Sequence, residues 1–249
     1  MTPTNGRTNG WPKGWKALAD ELTSLLRLQA PPIGITFSDD DPGVDRFDAP
    51  MPPPTPDGRT GRVSAGCVFW MKGAERTFTT LAEDHGNCSV GSLTHGLIDL
   101  ETAATRADVG ALVEAGWVTP DMFPQIPVMP KKPSFITYGP LAETPVDPDV
   151  VFIRVDGKQL MTLSDALPGL RVEGKPQCHI VPLAAGGEVA ASVGCALSRV
   201  RTAMKPDEMT CAIPASRLGE VVGKLRQTVG ADSAVATYAA EDKRRFISS

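Results

Sequence analysis

Apolar residues recur at every third or fourth position in several stretches of the chain, and this spacing predicts helices with one buried face. The clearest stretch runs from Trp15 to Leu28 and ends before Pro31 and Pro32, which cannot continue a helix. The same spacing predicts further helices after Gly91, after Cys195, and at 108–115, 157–167 and 217–229.

Short runs of β-branched and aromatic residues lie between these helices and predict strands. The runs are 33–37, 150–155, 179–183 and 209–213. Strands that alternate with helices favour an α/β fold, here a mixed sheet covered by helices. Two stretches rich in proline, 38–60 and 120–140, predict irregular loops, because proline cannot donate to a helix or to a sheet ladder.

The domain organisation follows from length and composition. Residues 1–12 are polar and rich in Gly, Pro and Asn, so we expect them to be disordered. A chain of 249 residues can bury one sizeable core, and we expect 13–245 to form a single α/β domain. The tetrapeptide Ser-x-Gly-Cys ends at Cys67 and again at Cys195, which is compatible with two pseudo-repeated halves. These halves would be about 13–140 and 141–245.

Charge and hydropathy exclude some classes of partner. The chain has 25 Lys and Arg against 29 Asp and Glu, so it offers no basic surface for nucleic acid. No apolar stretch approaches the roughly 18 residues of a membrane helix, and the first residues do not resemble an export signal. We therefore expect a cytoplasmic protein that acts on a small molecule, binds neither nucleic acid nor membrane, and is compatible with a homo-oligomer.

The five cysteines carry the strongest chemical signal. A cytoplasm keeps cysteines reduced, so they are inert core thiols, nucleophiles or metal ligands. Cys67, Cys88 and Cys195 each follow Gly or Asn in segments without clean periodicity, which is typical of functional loops. Cys211 lies in a predicted strand, where a buried structural thiol is expected. Cys178 is also next to a predicted strand, but His179 beside it leaves a functional role open.

The spacing of the three loop cysteines bears on the kind of site. The paired Cys-x-x-Cys spacing of zinc sites and the short spacing of bacterial ferredoxins are both absent. A site would have to combine Cys67, Cys88 and Cys195 from separate loops, as in enzymes whose cluster is held by three thiolates and keeps one iron free. Spacing alone leaves open the alternative of three unconnected thiols.

Several of these segments, in their order along the chain, resemble one protein family. They are Leu25–Phe37 with its Pro-Pro-Ile-Gly-Ile, Gly66-Cys67, Asp84-His85-Gly-Asn-Cys88-x-x-Gly91 and Gly194-Cys195-x-x-x-Arg199. Together they resemble the DUF169 family, also called uncharacterised ArCR, from about the first helix to the last. The resemblance implies that the family's cysteine turns correspond to Cys67, Cys88 and Cys195. It implies no particular reaction.

We expect these three cysteines to hold a [4Fe-4S] cluster that carries the protein's function. Its fourth iron would act as a Lewis acid in non-redox chemistry, namely hydrolytic or eliminating removal of a leaving group such as halide or sulfur, or sulfur transfer. His85 and His95 flank Cys88 and are the candidate acid, base or ligand groups. Arg199, one helical turn after Cys195, is the candidate anion-binding residue, whereas Arg201 is expected to be a solvated charge. The enzyme would be a hydrolase or a lyase.

Two alternatives remain open from the sequence. A fourth protein ligand, from His85, Cys178 or Cys211, would complete the cluster and favour an electron carrier or sensor without catalysis. A cluster-free enzyme would instead pair the Cys88 thiolate with His85 or His95. The motifs of dinucleotide folds, P-loops and nucleophile elbows are absent, so the sequence favours none of those classes.

Overall fold

A computed structural model describes residues 14–47, 66–86, 88–202 and 204–247. The segment 1–12, predicted to be disordered, lies outside these residues. Nine α-helices and seven strands make up the described part of the chain, together with short 3₁₀ turns. In chain order they are α1 (Trp15–Leu26), β1 (Ile33–Ser38), α2 (Gly66–Gly73), β2 (Phe78–Thr80), α3 (Ser89–Thr94), α4 (Leu100–Ala104), α5 (Ala107–Glu114), β3 (Phe135–Pro140), β4 (Val150–Val155), α6 (Gly157–Ala166), β5 (Arg171–Glu173), α7 (Ile180–Ala185), β6 (Ala190–Ser192), α8 (Ala196–Thr202), β7 (Met209–Pro214) and α9 (Leu218–Ile247).

All seven strands belong to one mixed sheet, in the order β2-β3-β1-β4-β7-β6-β5. Only the last pair, β5 and β6, is parallel. Helices cover both faces of this sheet, so the predicted α/β architecture is confirmed. Within the described residues, no helix is both long enough and apolar enough to cross a membrane.

The sheet contains the same three-stranded unit twice. In the first unit β3 lies between β2 and β1, and in the second β7 lies between β6 and β4, with every pairing antiparallel. The register is also the same: Ile33 pairs with Pro140 as Val150 pairs with Pro214. The units meet where β1 and β4 pair antiparallel about Gly34 and Val151. A two-fold rotation about this point therefore exchanges the two units.

Side chains alternate across the strands and divide the core into two layers. Val151 and Ile153 of β4 contribute to a layer with α1, α6 and α9, while Phe152 between them faces a layer with α2 and α7. The ring of Phe152 packs on Trp70 of α2 with centroids 4.6 Å apart. Helices α2 and α7 therefore lie on the same face of the sheet, on opposite sides of the two-fold point.

Some elements differ from the sequence predictions. The strand expected at 179–183 is wrong, because this apolar run forms helix α7, and a short buried run does not distinguish strand from helix. Strand β3 lies inside the stretch 120–140 expected to be a loop. Prolines at its border masked its signal, since Pro140 sits at the strand's end. Helix α9 extends 18 residues beyond its predicted end at Val229.

We expect Ile213→Ala to lower the free energy of unfolding by about 2–5 kcal/mol, because Ile213 of β7 is fully buried and truncation leaves a cavity. Urea unfolding checks this, with Val200→Ala as the control. Val200 is 87 % exposed, so its truncation should change stability by less than about 0.5 kcal/mol. Equal effects of the two substitutions would contradict the placement of β7 in the core.

Candidate functional site

Four of the five cysteines line one pocket on the α2 and α7 face of the sheet. They are Cys67, Cys88, Cys178 and Cys195. The three cysteines selected from the sequence are thus brought together from segments far apart in the chain. Cys178 joins them, although the sequence left its role open. Cys211 is fully buried within β7 in the other core layer, as expected for a structural thiol.

Each pocket cysteine lies at or just before the start of a helix. Cys67 is the second residue of α2, Cys88 and Cys195 immediately precede α3 and α8, and Cys178 lies in the 3₁₀ turn that leads into α7. Cys67 and Cys195 are buried, while Cys88 and Cys178 are partly exposed. The site is therefore built from helix starts rather than from long loops, so its thiols are carried by regular elements.

The internal two-fold relates these cysteines in pairs. Cys67 and Cys178 both precede the edge strand of their unit, β2 or β6, whereas Cys88 and Cys195 both follow it. The sequence echo Ser-x-Gly-Cys instead pairs Cys67 with Cys195, which occupy different places in the two units. The strand register shows a structural repeat, but the tetrapeptide match does not follow it, because the two matching cysteines are not equivalent in the two units.

Apolar and cationic side chains close the pocket. Trp70 and Trp117 contribute aromatic walls, and Arg201 reaches the pocket from the end of α8. The guanidinium of Arg201 lies against the Cys88 thiol. The prediction that Arg201 is a solvated charge is wrong, because Arg201 lies on the same face of α8 as Leu197 and Ser198, and this face lines the pocket. No carboxylate lines the pocket within the described part of the chain, so its field favours anions.

Burial separates the acidities of the thiols. Desolvation raises the pKa of Cys67 to about 11, although the neighbouring Ser198 side chain opposes this shift. Desolvation also raises the pKa of Cys178 well above its usual value, and the Cys88 thiol adds to this effect. Converting these thiols to thiolates therefore needs a positive partner, and a bound metal would supply one.

His95 lines the pocket and has one ring nitrogen without a partner among the described residues. The ring is fully buried, and its Nδ1 lies 2.8 Å from the carbonyl oxygen of Gly91. A carbonyl only accepts, so Nδ1 carries the proton and Nε2 keeps its lone pair. No hydrogen-bond partner meets Nε2 among the residues that the structure describes. This arrangement, with one nitrogen anchored by a backbone carbonyl, is the one that metal-binding or proton-accepting histidines use.

His85 lies behind His95 rather than on the pocket wall. Its Nε2 is 3.0 Å from the hydroxyl of Thr80, and the two imidazole rings are 5.8 Å apart. Its Nδ1 is buried and lacks a described partner. Both free nitrogens point toward Gly66, where a Cβ atom would lie 3.6 Å from Nε2 of His95 and 3.9 Å from Nδ1 of His85. His85 is therefore a neighbour of the site and does not line it.

Arg199 does not line the pocket. Its guanidinium donates to the backbone carbonyls of Val193, Lys205, Pro206 and Glu208. It also covers Gly194, whose φ of 110° few other residues adopt and where a Cβ atom would lie 2.9 Å from Arg199 Nη2. Arg199 thus holds the turn that presents Cys195. The arginine that lines the pocket is Arg201, two positions further along α8.

The sequence leaves Cys178 open and predicts the wrong environment for Arg201, for identifiable reasons. The apolar run after Cys178 is short and predicts a strand, so only the neighbouring His179 favours a role for Cys178 in a site. Arg201 was placed by ideal helix spacing from Cys195, which puts Arg199 above the cysteine. In the structure Arg199 bonds to the backbone around the Gly194 turn, and Arg201 in the last turn of α8 lines the pocket.

The donor set fits an iron-sulfur cluster in its chemistry. Four soft thiols and one free imidazole nitrogen are ligands that iron-sulfur centres use. Among the described residues, no three His, Cys, Asp or Glu side chains are placed to share a single metal ion. Thiols that hold a cubane bind separate irons and need not meet at one point. The space between the side chains is about 30 Å³, which is smaller than a cubane, so the pocket would have to widen to hold one.

Comparison with known proteins identifies the family but no activity. The family model DUF169, described as uncharacterised ArCR, matches residues 21–224. The match covers most of the chain and all four pocket cysteines, so this protein belongs to the DUF169 family, and the expected resemblance is confirmed. No curated protein and no solved structure matches the chain.

The buried histidines predict a pH dependence for the metal-free protein. Burial lowers the pKa of His95 from 6.5 to about 4, so between these values the unfolded chain binds a proton that the folded chain does not. Stability is therefore complete above pH 6.5 and falls as the pH drops toward 4. We expect His95 to contribute a loss of about 2 kcal/mol at pH 5 relative to pH 7.

Urea unfolding of wild type and His95→Gln at the two pH values checks this prediction. Burial also lowers the pKa of His85, so part of the loss should persist in the variant. The variant should nevertheless lose less stability than wild type between pH 7 and pH 5. The same loss in both proteins would show that His95 is not held neutral by burial.

Proposed function

We propose that this chain is an iron-sulfur protein that holds a [4Fe-4S] cluster on Cys67, Cys88 and Cys195. One observation carries the proposal: cysteines from separate segments converge on a single pocket in a chain with only five. Burial raises the pKa of Cys67 to about 11, so this thiol is a poor nucleophile and is better suited to metal ligation than to covalent catalysis. A cytoplasmic location would keep these thiols reduced and ready for assembly.

The function that the pocket supports best is non-redox catalysis on a small anionic molecule. When bound, a cluster with one iron open to substrate supplies a Lewis acid. The chain contributes a cation and a base around this position. Arg201 orients an anionic group of the substrate, and Nε2 of His95 accepts a proton from the substrate or from attacking water. Trp70 and Trp117 exclude bulk water. This set serves hydrolytic or eliminating removal of a leaving group, or sulfur transfer.

A second candidate is an electron carrier or sensor without catalysis. The observation that favours it is Cys178, which lines the same pocket and offers a fourth thiol. If all four cysteines stayed bound throughout the functional cycle, no iron would be open to substrate. We rank this candidate second, because a carrier needs neither the free nitrogen of His95 nor the cation of Arg201 in the pocket wall.

Protein purified without oxygen should be brown, absorb at about 400 nm and contain about four irons per chain. Single substitutions of Cys67, Cys88 or Cys195 by Ser should remove most of this absorbance and iron, because each removes a ligand. Cys211→Ala is the matched control and should keep both, since Cys211 is buried in the other core layer. Iron-free wild type, or loss of iron in the control alone, would contradict the assignment.

We expect Arg201→Gln to keep the cluster but to weaken binding of small carboxylates, because it removes the pocket's cation. A hydrogen bond to a charged group contributes about 1.5–3 kcal/mol, so affinity should fall about 10- to 100-fold. Calorimetric titration of reconstituted protein with citrate and acetate measures this. Arg244→Gln, at an exposed position of α9, is the control. Equal affinities in wild type and both variants would show that Arg201 does not bind the carboxylate.

A further inference from the structure

The internal repeat of the sheet locates a fourth thiol in the site. The two units share not only strand order but residue-by-residue register: Phe78 pairs with Tyr138 as Ala190 pairs with Ala212. This register fixes which positions of the edge strands β2 and β6 are equivalent, namely Phe78 with Ala190 and Thr80 with Ser192. Positions before and after the edge strands can then be compared directly.

Cys178 is the structural equivalent of Cys67. Cys67 lies 11 residues before Phe78, and Cys178 lies 12 residues before Ala190. Each begins the helical segment that runs into its edge strand, and helices α2 and α7 pack on the same face of the sheet. Chain topology therefore places both thiols on one face, related by the two-fold between β1 and β4.

The polar neighbours of the Cys67 and Cys178 thiols are related by the same two-fold. Ser198, which interacts with Cys67, belongs to α8 of the second unit. Thr94, which interacts with Cys178, belongs to α3 of the first unit. Each thiol is thus met by a hydroxyl from the helix that follows the edge strand of the opposite unit. The repeat extends from the sheet into the immediate surroundings of the cysteines.

We propose that Cys178 is the fourth protein ligand of the cluster in the resting protein, an inference that rests on the proposed cluster. Four thiols arranged as two related pairs match the four irons of a cubane, and a cluster that used Cys67 but not Cys178 would break the equivalence of the pair. The other candidates are less well placed. Cys211 lies in the opposite core layer, and His85 lies behind the pocket wall. Substrate access to iron then requires Cys178 to dissociate.

The test compares Mössbauer spectra of ⁵⁷Fe-reconstituted wild type, Cys178→Ala, Cys211→Ala and His95→Ala. We expect wild type and Cys211→Ala to show four cysteine-bound irons. In Cys178→Ala about a quarter of the spectral area should shift to a new site, because one iron of four exchanges its sulfur for water or buffer. Cys178→Ser and far-UV circular dichroism guard against a folding defect in the alanine variant.

Two results would overturn the proposal. If wild type already contains a distinct iron and Cys178→Ala has the same spectrum, Cys178 is not a ligand, while the proposed cluster function stands. If the distinct signature instead appears in His95→Ala, the fourth ligand is the imidazole. Absence of iron from every protein, wild type included, is a different outcome and overturns the cluster itself.

Discussion

The antiparallel pairing of β1 with β4 is the constraint on which the rest of this structure depends. These central strands meet about Gly34 and Val151, and each carries a three-stranded unit with the same register. Because the pairing is antiparallel, the second unit is rotated by half a turn relative to the first. The rotation keeps α2 and α7 on the same face of the sheet. The cysteines at the starts of these helices consequently converge on one pocket rather than on opposite faces.

Desolvation then determines the chemistry of that pocket. Thiols packed against Trp70 and other apolar side chains resist ionisation, as the raised pKa of Cys67 shows. Arg201 is the cation that offsets this cost at the pocket, through its contact with Cys88. Among the described residues of the pocket wall, the free nitrogen of His95 provides an uncommitted base.

Much of the architecture could be predicted from hydrophobic spacing. Helices α1, α5 and α6 and strands β1, β4 and β7 lie close to their predicted ranges, because each has one buried face that leaves a regular pattern. The three-residue strands β2, β5 and β6 were not predicted, since three residues cannot display an alternation. The symmetry of the sheet could not be predicted either, because register depends on pairings between segments distant in sequence.

The candidate site could be predicted in part. Glycine or asparagine precedes Cys67, Cys88 and Cys195 in the sequence, and these three cysteines line one pocket in the structure. The fourth, Cys178, has Gln before it and no such mark, and only the repeat of the fold relates it to Cys67. Arg199 and Arg201 both depart from expectation, because helix spacing alone does not show that the guanidinium of Arg199 bonds to the backbone around the Gly194 turn, while Arg201 lines the pocket.

The central claim is that the converging cysteines bind an iron-sulfur cluster, and the iron and acid-labile sulfide content of anaerobically purified protein tests it most directly. The cysteine pocket predicts about four of each per chain. Colourless protein without iron or sulfide, after both anaerobic purification and reconstitution, would contradict it.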